Sequence, residues 1–360
     1  MRIPALCTID QSPGNGGIAR VSLLVWNVMR KLSQDRCRVL TVCPPGRNRP
    51  ALWDKLRFAT HAAASQLSGE FEWLFYDHVG PASVQSFVPS RYRRPYGVFL
   101  HGIEVWDQMT AAGKRTLAAA TVRVANSNYT AERVAREHPG LGPISVCPLA
   151  LLPEAPVVAK QGNMDTGLLQ RIREKSVLIV GRMSALERYK GHLELIRAWP
   201  IITQQIPGAQ LIVVGTGDDF EFLQATAREA GLADDILFTG WVNEETLDAV
   251  YEHAAVFAMP SRGEGFGLVF LEAMKHRLPC IASTADASGE VVADGETGFL
   301  VDPSDQPMLA ARIVTTLEDS SLRRRMGEAG EQRLHRQFSF PQFEQNFVVA
   351  IQPLIQAGQL

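Results

Sequence analysis

Two successive series of strand-like and helix-like segments, separated by a polar linker, constrain the fold of this chain more than any other feature. Apolar runs such as IPALCTI and CRVLTVCPP in the first half, and SVLIVGR, AQLIVVGTG and DILFTGWV in the second, alternate with stretches of helical period. Such alternation predicts parallel sheets with helices on both faces. The segment PEAPVVAKQGNMDTG between the two series has linker composition. We therefore expect an α/β protein of two doubly wound, Rossmann-like domains facing each other across a cleft.

The predicted domains cover residues 1–155 and 172–335. Two domains suit a chain of 360 residues, because single hydrophobic cores rarely grow beyond about 250–300 residues. The amphipathic tail, residues 340–360, is expected to pack back on the first domain. Ligands of doubly wound sheets bind beyond the carboxyl ends of the strands, so functional side chains are expected in the loops that follow strands.

Charge is distributed unevenly along the chain. Residues 1–160 hold 19 lysine and arginine residues against 11 acidic ones, a formal charge of +8, whereas residues 161–360 hold 17 against 27, a charge of −10. A basic first half indicates contact with an anionic partner. An uneven but simply solvated surface explains the same numbers equally well.

Cysteine usage and hydropathy favour a cytosolic protein. The five cysteines are scattered without metal-ligand or redox spacing, which fits buried, reduced thiols. The start MRIPALCTID lacks a signal-peptide core, and no apolar run reaches the 18 or so residues of a membrane-spanning helix. Any membrane contact is therefore expected to be peripheral, on the inner face of the cytoplasmic membrane.

The stretch MPSRGEGFGLVFLEAM leads from a predicted strand through a glycine-containing loop into a predicted helix. A helix N-terminus offers free N–H groups and the positive end of a dipole, which favour phosphate oxygens, and Gly265 and Gly267 let a ligand approach the backbone. Glu264 and Glu272 can both turn toward this ligand and accept hydrogen bonds from the hydroxyls of a ribose or hexose. The alternative is a helix-dipole acid followed by an ordinary surface glutamate, and spacing alone leaves both open.

Two cations follow the strand that opens the second series, in IVGRMSALERYKGH. Arg182 comes directly after the strand, and Lys190 stands just before the next predicted helix. Together they could neutralise a diphosphate without a metal ion, Arg through fixed donors and Lys as a mobile charge. The alternative is a pair of solvated cations.

The first domain offers weaker signals. Gly16 and Gly17 lie in a flexible turn between the first strand and a helix, but the second strand ends in LTVCPPG without the acid that a dinucleotide site requires, so NAD and FAD are not expected. His101 ends the apolar strand of VFLHG and could touch a substrate; a satisfied core histidine is the alternative.

Taken together, these motifs resemble the retaining GT-B glycosyltransferases, specifically glycosyltransferase family 4. The resemblance covers most of the chain and is strongest in VLIVGRMSALERYKGH, LIVVGTGDD, LFTGWVNEETL, PSRGEGFGLVFLEAM and GETGFLV. Each piece is weak alone, but the ordered set is highly specific, and glutamates separated by seven residues, Glu264 and Glu272, are the family's hallmark. The resemblance implies that the C-terminal domain binds a nucleotide-diphospho-sugar.

The resemblance also implies roles for single residues. Arg182 and Lys190 match the diphosphate-binding pair. Glu272 matches the glutamate that holds the nucleotide ribose, and Glu264 the one that contacts the donor sugar. The other donor-binding positions are Gly16, Gly17, Trp241, Val242, Phe266, Gly267 and Leu268. The expected catalytic residues are Glu264, His101, Arg182 and Lys190.

One loop departs from the family pattern. Many members have glycine-glycine-x-x-glutamate where this chain has DASGE, so Asp286 and Ala287 replace the glycines. The departure weakens the assignment of Ser288, Gly289 and Glu290 as a further donor loop.

The implied reaction transfers a hexose from a nucleotide donor to an acceptor hydroxyl with retention at the anomeric carbon. Catalysis would stabilise the departing diphosphate through cations and a helix N-terminus. No metal and no cofactor are expected, and nucleic acid is not an expected partner. The donor is expected to be UDP- or GDP-linked, and the residues do not rank the two.

Basic residues mixed with apolar ones in the first domain suggest a lipid-linked acceptor, as in bacterial cell-surface polysaccharide biosynthesis. The segment GRNRPALWDKLRFATHAAASQL contains Arg47, Arg49, Lys55 and Arg57 beside Leu52, Trp53, Leu56 and Phe58, and SRYRRPY adds Arg91, Arg93 and Arg94. The alternative is a solvated helix with a buried aromatic face.

Rival interpretations keep the fold and change the activity. A pyridoxal-dependent phosphorylase requires a cofactor lysine motif for which the chain has no candidate, and an epimerase fits the two cations and two glutamates poorly. A non-catalytic nucleotide-sugar-binding subunit or scaffold stays open, and donor binding without turnover would identify it.

Overall fold

The computed structural model describes residues 2–11, 16–44, 47, 50–106, 109–153 and 164–358. The chain divides into two compact units, one formed by Met1–Pro153 with Phe338–Leu360 and the other by Glu154–Gln337. Residues 154–163, which make up most of the predicted linker segment PEAPVVAKQGNMDTG, lie outside the described residues, as does Arg49.

The first unit contains a six-stranded parallel sheet. Its strands are β1 (Ile3–Thr8), β2 (Arg38–Thr41), β3 (Phe71–Tyr76), β4 (Tyr96–Leu100), β5 (Val122–Ala125) and β6 (Ser145–Val146). They lie in the order β2-β1-β3-β4-β5-β6 and all pair in parallel. The described helices are α1 (Gly17–Leu32), α2 (Leu52–Leu67), α3 (Val79–Ala82), α4 (Ala111–Ala119), α5 (Asn128–Glu137) and, from the end of the chain, α14 (Phe340–Gly358).

The second unit repeats this architecture with a different strand order. Its strands are β7 (Ser176–Val180), β8 (Gln210–Val214), β9 (Ile236–Gly240), β10 (Val256–Ala258), β11 (Cys280–Ser283) and β12 (Gly298–Val301). The order is β12-β11-β10-β7-β8-β9, again parallel throughout. The described helices are α6 (Thr166–Leu169), α7 (His192–Gln205), α8 (Phe220–Glu229), α9 (Glu244–His253), α10 (Leu268–Lys275), α11 (Ser288–Val291), α12 (Gln306–Glu318) and α13 (Ser320–Gln337).

Both sheets are buried on their two faces, which is why their strands read as continuous apolar runs. The central strands β1, β4, β8 and β10 are buried along nearly their whole length. The expectation of two Rossmann-like α/β domains is confirmed.

The tail forms α14, which lies in the first unit. Phe347 is buried and packs edge-on against Phe75 with ring centroids 4.9 Å apart, and Phe343 stacks on Phe347 at 5.7 Å. At the helix surface, Lys31 of α1 forms an ion pair with Glu344 at 2.6 Å. An aromatic stripe along one face of α14 therefore completes the core of this unit.

The cysteines are free thiols. Four are buried, and Cys37 is half-buried. In the described part of the chain, none of the helices combines the length and apolar character needed to cross a bilayer.

Candidate functional site

The strand order of the second unit creates a switch point between β7 and β10. These two strands are neighbours, with Val177 opposite Val256 and Leu178 opposite Phe257, although one follows the other by some eighty residues. The chain leaves them toward opposite sides of the sheet, which opens a crevice beyond their carboxyl ends. The loops after β7 and β10 carry the cations and the first glutamate predicted from the sequence.

The two loops are joined through their backbones. The Arg262 N–H donates a hydrogen bond to the Tyr189 carbonyl at 2.8 Å. Gly191 adopts φ +93°, and a Cβ there would lie 2.7 Å from the carbonyl oxygen of Pro260. Only glycine permits this backbone conformation and this approach without displacement. The close contact places Lys190, the preceding residue, beside the loop of Glu264.

Lys190 and Glu264 form a shielded ion pair. The Lys190 Nζ lies 2.8 Å from Glu264 Oε1, and the two side chains are 17% and 15% exposed. Burial disfavours the charged Lys190, but its acidic neighbours, Glu264 foremost, together outweigh burial and raise the pKa of Lys190 above its usual value. The structure thus brings together a predicted phosphate ligand and a predicted sugar ligand, and keeps the ammonium charged.

Arg182 follows β7 but lies nearer the surface. Its side chain is 64% exposed and is held by Glu187, which is part of a short 3₁₀ segment, Ala185–Lys190. The hydrogen bonds that Arg182 donates to the Glu187 carboxylate are the main reason that the pKa of Arg182 is raised. An exposed pair of this kind is weak, so an anionic ligand could replace Glu187 at little cost.

The loop after β10 ends in a tight turn at Gly267, and α10 begins at the next residue. Gly267 has φ +91°, and a Cβ there would lie 2.6 Å from the Phe270 ring, so this position also requires glycine. Phe266 is buried and Leu268 begins the helix. The first amides of α10 lack intrahelical acceptors and can bind phosphate or sugar oxygens.

Glu272 lies in α10 and accepts a hydrogen bond from the Tyr251 hydroxyl at 2.8 Å. The Tyr251 ring is buried and stacks on His276 at 5.3 Å. Tyr251 therefore orients one oxygen of this carboxylate. Because a carboxylate has several lone pairs, Glu272 retains acceptor capacity for paired hydroxyls.

The other predicted donor-binding positions of this unit lie in two further segments, one after β9 and one in α11. Trp241 and Val242 follow β9, which is separated from β7 by β8; Trp241 is 73% exposed and Val242 is half-buried. In α11, Gly289 is exposed and Glu290 half-buried, whereas Ser288 is fully buried with its hydroxyl bonded to Asp286 and the Ser283 carbonyl. Ser288 thus supports the loop from within.

The first unit has its own switch point, between β1 and β3. Gly16 caps α1 with φ +88°, and Gly17 is the first residue of that helix; both are exposed. The chain reverses here beyond the carboxyl end of β1, as a ligand-binding turn would. Asn15, which precedes them, lies outside the described residues.

His101 follows β4 and is half-buried. Its Nε2 is hydrogen-bonded to the Asp77 carbonyl, its ring stacks on Phe99 at 5.3 Å, and its backbone N–H donates to Glu104 at 2.6 Å. Asn126 donates to the His101 carbonyl at 2.8 Å. These contacts hold the imidazole in one orientation.

Two ionisable residues, the buried Asp77 and the half-buried His78, lie beside His101. Burial raises the pKa of Asp77 to about 7, although the Thr8 hydroxyl, 2.5 Å away, and other donors oppose the shift. Burial also lowers the pKa of His78 to about 4. Both groups therefore tend toward their neutral forms, and sequence reasoning had not singled out either.

Sequence reasoning missed three supporting residues in the second unit: Glu187, Tyr251 and Asp286. Glu187 lies between the two cations, so its place in the sequence was a usable signal. Tyr251 lies on α9, and nothing local indicates that it reaches Glu272. Asp286 was visible only as a departure from a family pattern. In the described residues, no group of three or more His, Cys, Asp or Glu side chains is arranged to hold a metal ion.

The similarity to known proteins is strongest in the second unit. Residues 170–333 match the family model described as glycosyl transferases group 1. The GDP-mannose-dependent alpha-(1-6)-phosphatidylinositol monomannoside mannosyltransferase of Mycolicibacterium smegmatis is 34% identical over 245 residues, 64% of this chain and 63% of that protein. The phosphatidyl-myo-inositol mannosyltransferase of Mycobacterium leprae is 36% identical over 163 residues, 45% of this chain and 42% of that one. The chain thus spans less than two thirds of the length of these relatives.

Solved structures match over the whole chain. Sucrose-phosphate synthase from Thermosynechococcus elongatus superposes with a TM-score of 0.79 at 20% identity, covering 99% of this chain and all of that one. HepE of Anabaena, solved with UDP and glucose, gives 0.74 at 19% identity, covering 98% and 100%. These matches confirm the resemblance to the GT-B glycosyltransferases: residues 170–333 match the glycosyl transferases group 1 family model, and the chain as a whole has the GT-B fold.

Proposed function

We propose that this chain is a retaining hexosyltransferase that moves a hexose from a nucleotide-diphospho-sugar to a hydroxyl of a glycan or lipid-linked acceptor. The observation that carries the proposal is the shielded Lys190–Glu264 pair at the switch point between β7 and β10. A charged ammonium and a carboxylate held at a ligand-binding crevice match the two halves of such a donor, its diphosphate and its sugar hydroxyls.

The cations would stabilise the leaving group. As the bond between the anomeric carbon and the diphosphate breaks, negative charge grows on the phosphate oxygens. Lys190, Arg182 and the amides at Phe266, Gly267 and Leu268 would bind that charge more tightly in the transition state than in the ground state. These groups carry the role that a divalent cation serves in other transferases, so we propose a reaction without a metal or cofactor.

The carboxylates would hold the hydroxyl groups. When the diphosphate attracts Lys190, Glu264 becomes available to the donor sugar, and Glu272, oriented by Tyr251, accepts from the ribose hydroxyls. Trp241 and Val242 would lie near the base. The proposed contributions of Gly16, Gly17 and His101, and of the Ser288–Glu290 loop, rest on the family resemblance alone.

Retention requires the acceptor to attack from the face that the diphosphate leaves. The acceptor oxygen forms its bond to the anomeric carbon as the bond to the phosphate oxygen breaks. The acceptor proton passes to the departing phosphate, so Glu264 need not act as a nucleophile.

The names of the relatives support an order in which to test the candidate donors. Those with 34–36% identity are named as mannosyltransferases, several of them as GDP-mannose-dependent, whereas the UDP-bound structures are below 20% identity. We therefore propose GDP-mannose as the first donor to test and UDP-glucose as the second.

A lipid-linked acceptor fits both the relatives and the surface of the first unit. The relatives are named for phosphatidylinositol acceptors. Helix α2 exposes Leu52, Trp53 and Leu56 together with Lys55 and Arg57. Such a surface suits an anionic bilayer, while Phe58 is buried in the core and is no anchor. We propose a cytoplasmic enzyme, peripheral on the inner face of the membrane, in bacterial cell-surface polysaccharide biosynthesis.

The test is release of nucleotide diphosphate by the purified chain from GDP-mannose and UDP-glucose, with a chelator present. Slow release from one donor is expected even without acceptor. Lys190→Ala and Glu264→Ala should lower the rate by about 100-fold or more. Lys175→Ala, an exposed lysine before the amino end of β7, is the matched control and should leave it unchanged.

Three outcomes separate the alternatives. Release that depends on Lys190 and Glu264 supports a transferase and names its donor. Calorimetric binding of a donor without release, even with lipid extracts as acceptor, would favour the non-catalytic subunit. Release only after a divalent cation is added would contradict the metal-independent reaction.

A further inference from the structure

Asp286 is buried, with 6% of its surface exposed. It stands where many members of glycosyltransferase family 4 have the first glycine of the glycine-glycine-x-x-glutamate motif. Its carboxylate accepts four hydrogen bonds. Oδ2 accepts from the Ser261 hydroxyl at 2.6 Å and from the Glu264 backbone N–H at 2.9 Å. Oδ1 accepts from the backbone N–H and the hydroxyl of Ser288 at 3.0 and 2.7 Å. One side chain thus connects the loop after β10 with the start of α11.

Both backbone hydrogen-bonding groups of Glu264 take part in this connection. The Glu264 N–H donates to Asp286, and the Glu264 carbonyl accepts from the Ala287 N–H at 3.1 Å. Both backbone groups of Glu264 are therefore bonded to the same adjacent pair of residues, 22 positions further along the chain. The backbone position of Glu264 depends on the loop after β11.

The side chain of Glu264 has a separate restraint, its ion pair with Lys190. A diphosphate beside Lys190 would compete for that ammonium and weaken the pair. The restraint on the backbone does not involve Lys190 and would persist. After the donor binds, the contacts with Asp286 and Ala287 would be the ones that keep Glu264 directed at the sugar.

We infer that Asp286 is a positioning residue for the donor sugar: it holds Glu264 in place when the diphosphate takes Lys190, in a role that glycine at this position cannot perform. The inference rests on the proposed function, because it requires Glu264 to contact the sugar. Asp286 itself touches no substrate; it acts through the backbone of Glu264.

The chemistry of the site explains why a carboxylate is needed. Four donors converge on Asp286 from Ser261, Glu264 and Ser288. Burial raises the pKa of Asp286, while these donors oppose the rise. An asparagine has one carbonyl oxygen and an NH₂ group, so it can satisfy one side only and would present N–H groups to the other. Buried donors without acceptors are costly, so the loop would shift.

The experiment compares Asp286→Asn with Thr297→Val in the full chain. The buried Thr297 hydroxyl accepts a hydrogen bond from the Ala293 N–H at 2.9 Å, so Thr297→Val removes a buried contact of the same unit and leaves all four bonds to Asp286 intact. Calorimetry measures binding of GDP and of GDP-mannose, or of UDP and UDP-glucose if those are the ligands of the unaltered chain. Thermal denaturation of each variant records its loss of stability.

Asp286→Asn should bind the nucleotide diphosphate within about twofold of the unaltered chain, because the phosphate ligands are intact. It should lose most of the contribution of the sugar to binding, and its maximal release rate should fall about tenfold or more while KM changes less. Thr297→Val should keep sugar discrimination and rate at a comparable loss of stability. Should Asp286→Asn not fold, Ser261→Ala removes a bond to the same oxygen and should show the same pattern in weaker form.

Two results would overturn the inference. One is equal loss of rate and sugar discrimination in Thr297→Val, which would attribute the effect of Asp286→Asn to lost stability and not to the position of Glu264. The other is unchanged sugar discrimination in a folded Asp286→Asn. Failure of the unaltered chain to bind either nucleotide or either donor is a separate result, which would remove the proposed function and this inference with it.

Discussion

Lys190 and His192, two residues apart at the start of α7, show how burial acts on neighbouring basic groups. Lys190 keeps its proton because Glu264 lies 2.8 Å away. His192 has no such partner. Burial, followed by the positive charge of Lys190, lowers the pKa of His192 to about 4, and Asp219 opposes the shift. Burial therefore lowers the pKa of His192, whereas the acidic neighbours of Lys190, Glu264 foremost, reverse the effect of burial on Lys190.

The lowered pKa of His192 predicts a pH dependence of stability. The unfolded chain titrates this histidine at its usual 6.5 and the folded chain at about 4, so the unfolded state binds more protons in between. The free energy of unfolding should therefore decline as the pH falls from 6.5 toward 4. The unfavourable protonation of His192 should account for a loss of up to about 3 kcal/mol, which is absent above pH 6.5.

Urea denaturation between about pH 4.5 and 6.5, followed by circular dichroism, tests this for the unaltered chain and His192→Gln. The quantity to compare is the slope of the unfolding free energy against pH in the unaltered chain minus the same slope in His192→Gln. His78 adds a slope of the same sign, and Asp77, with its pKa raised to about 7, adds one of the opposite sign. Identical slopes in the two proteins would contradict the assignment to His192.

At the scale of elements, α14 shows how a distant segment becomes part of a core. Its buried residues are Phe343, Phe347, Ala350, Ile351 and Leu354, spaced at three and four along one face. That spacing was visible in the sequence and predicts an amphipathic helix. The aromatic rings of the first unit, Phe75 and Phe99, provide the surface that this face covers.

Removing the central ring of α14 should destabilise the first unit. Phe347→Ala leaves a cavity beside Phe75 and should lower the free energy of unfolding by about 3–5 kcal/mol. Val349→Ala, at an exposed position of the same helix, should change it by no more than about 0.5 kcal/mol. Denaturation curves of both variants decide the matter, and similar losses would show that α14 contributes through helix formation and not through this packing.

For the whole molecule, the distribution of charge and exposed apolar side chains differs between the halves. The first 160 residues carry +8 and the rest −10, and α2 exposes Trp53 to 80% beside Lys55. Exposed aromatic and basic residues on one helix combine an apolar and an electrostatic attraction to anionic lipid.

Vesicle sedimentation tests the proposed membrane contact. The chain should sediment with phosphatidylglycerol vesicles at low salt, less at high salt, and little with phosphatidylcholine. Trp53→Ser and Lys55→Glu should each reduce binding. The controls Met308→Ser, also exposed and apolar, and Lys175→Glu lie in the second unit and should not. Absence of sedimentation with anionic vesicles at low salt would remove the membrane part of the proposal.

Much of the candidate site could be predicted from local sequence, and the rest could not, for a clear reason. Arg182, Lys190 and Glu264 follow strands, and the carboxyl ends of parallel strands are the expected place for ligands. That Glu264 pairs with Lys190, and that Tyr251 bonds to Glu272, are contacts over 74 and 21 residues. No periodicity of the chain encodes such pairings.

By itself, the sequence determined the architecture of each half: runs of apolar residues buried on both faces of a sheet, alternating with amphipathic helices, because burial and backbone hydrogen bonding act locally with a fixed period. Only the tertiary structure decided the strand order, which places β7 beside β10. The strand order in turn decides which polar groups become neighbours. Asp286 illustrates the difference. In the sequence it interrupts a familiar pattern, whereas in the folded chain four donors from three residues converge on it, because only packing brings those residues together.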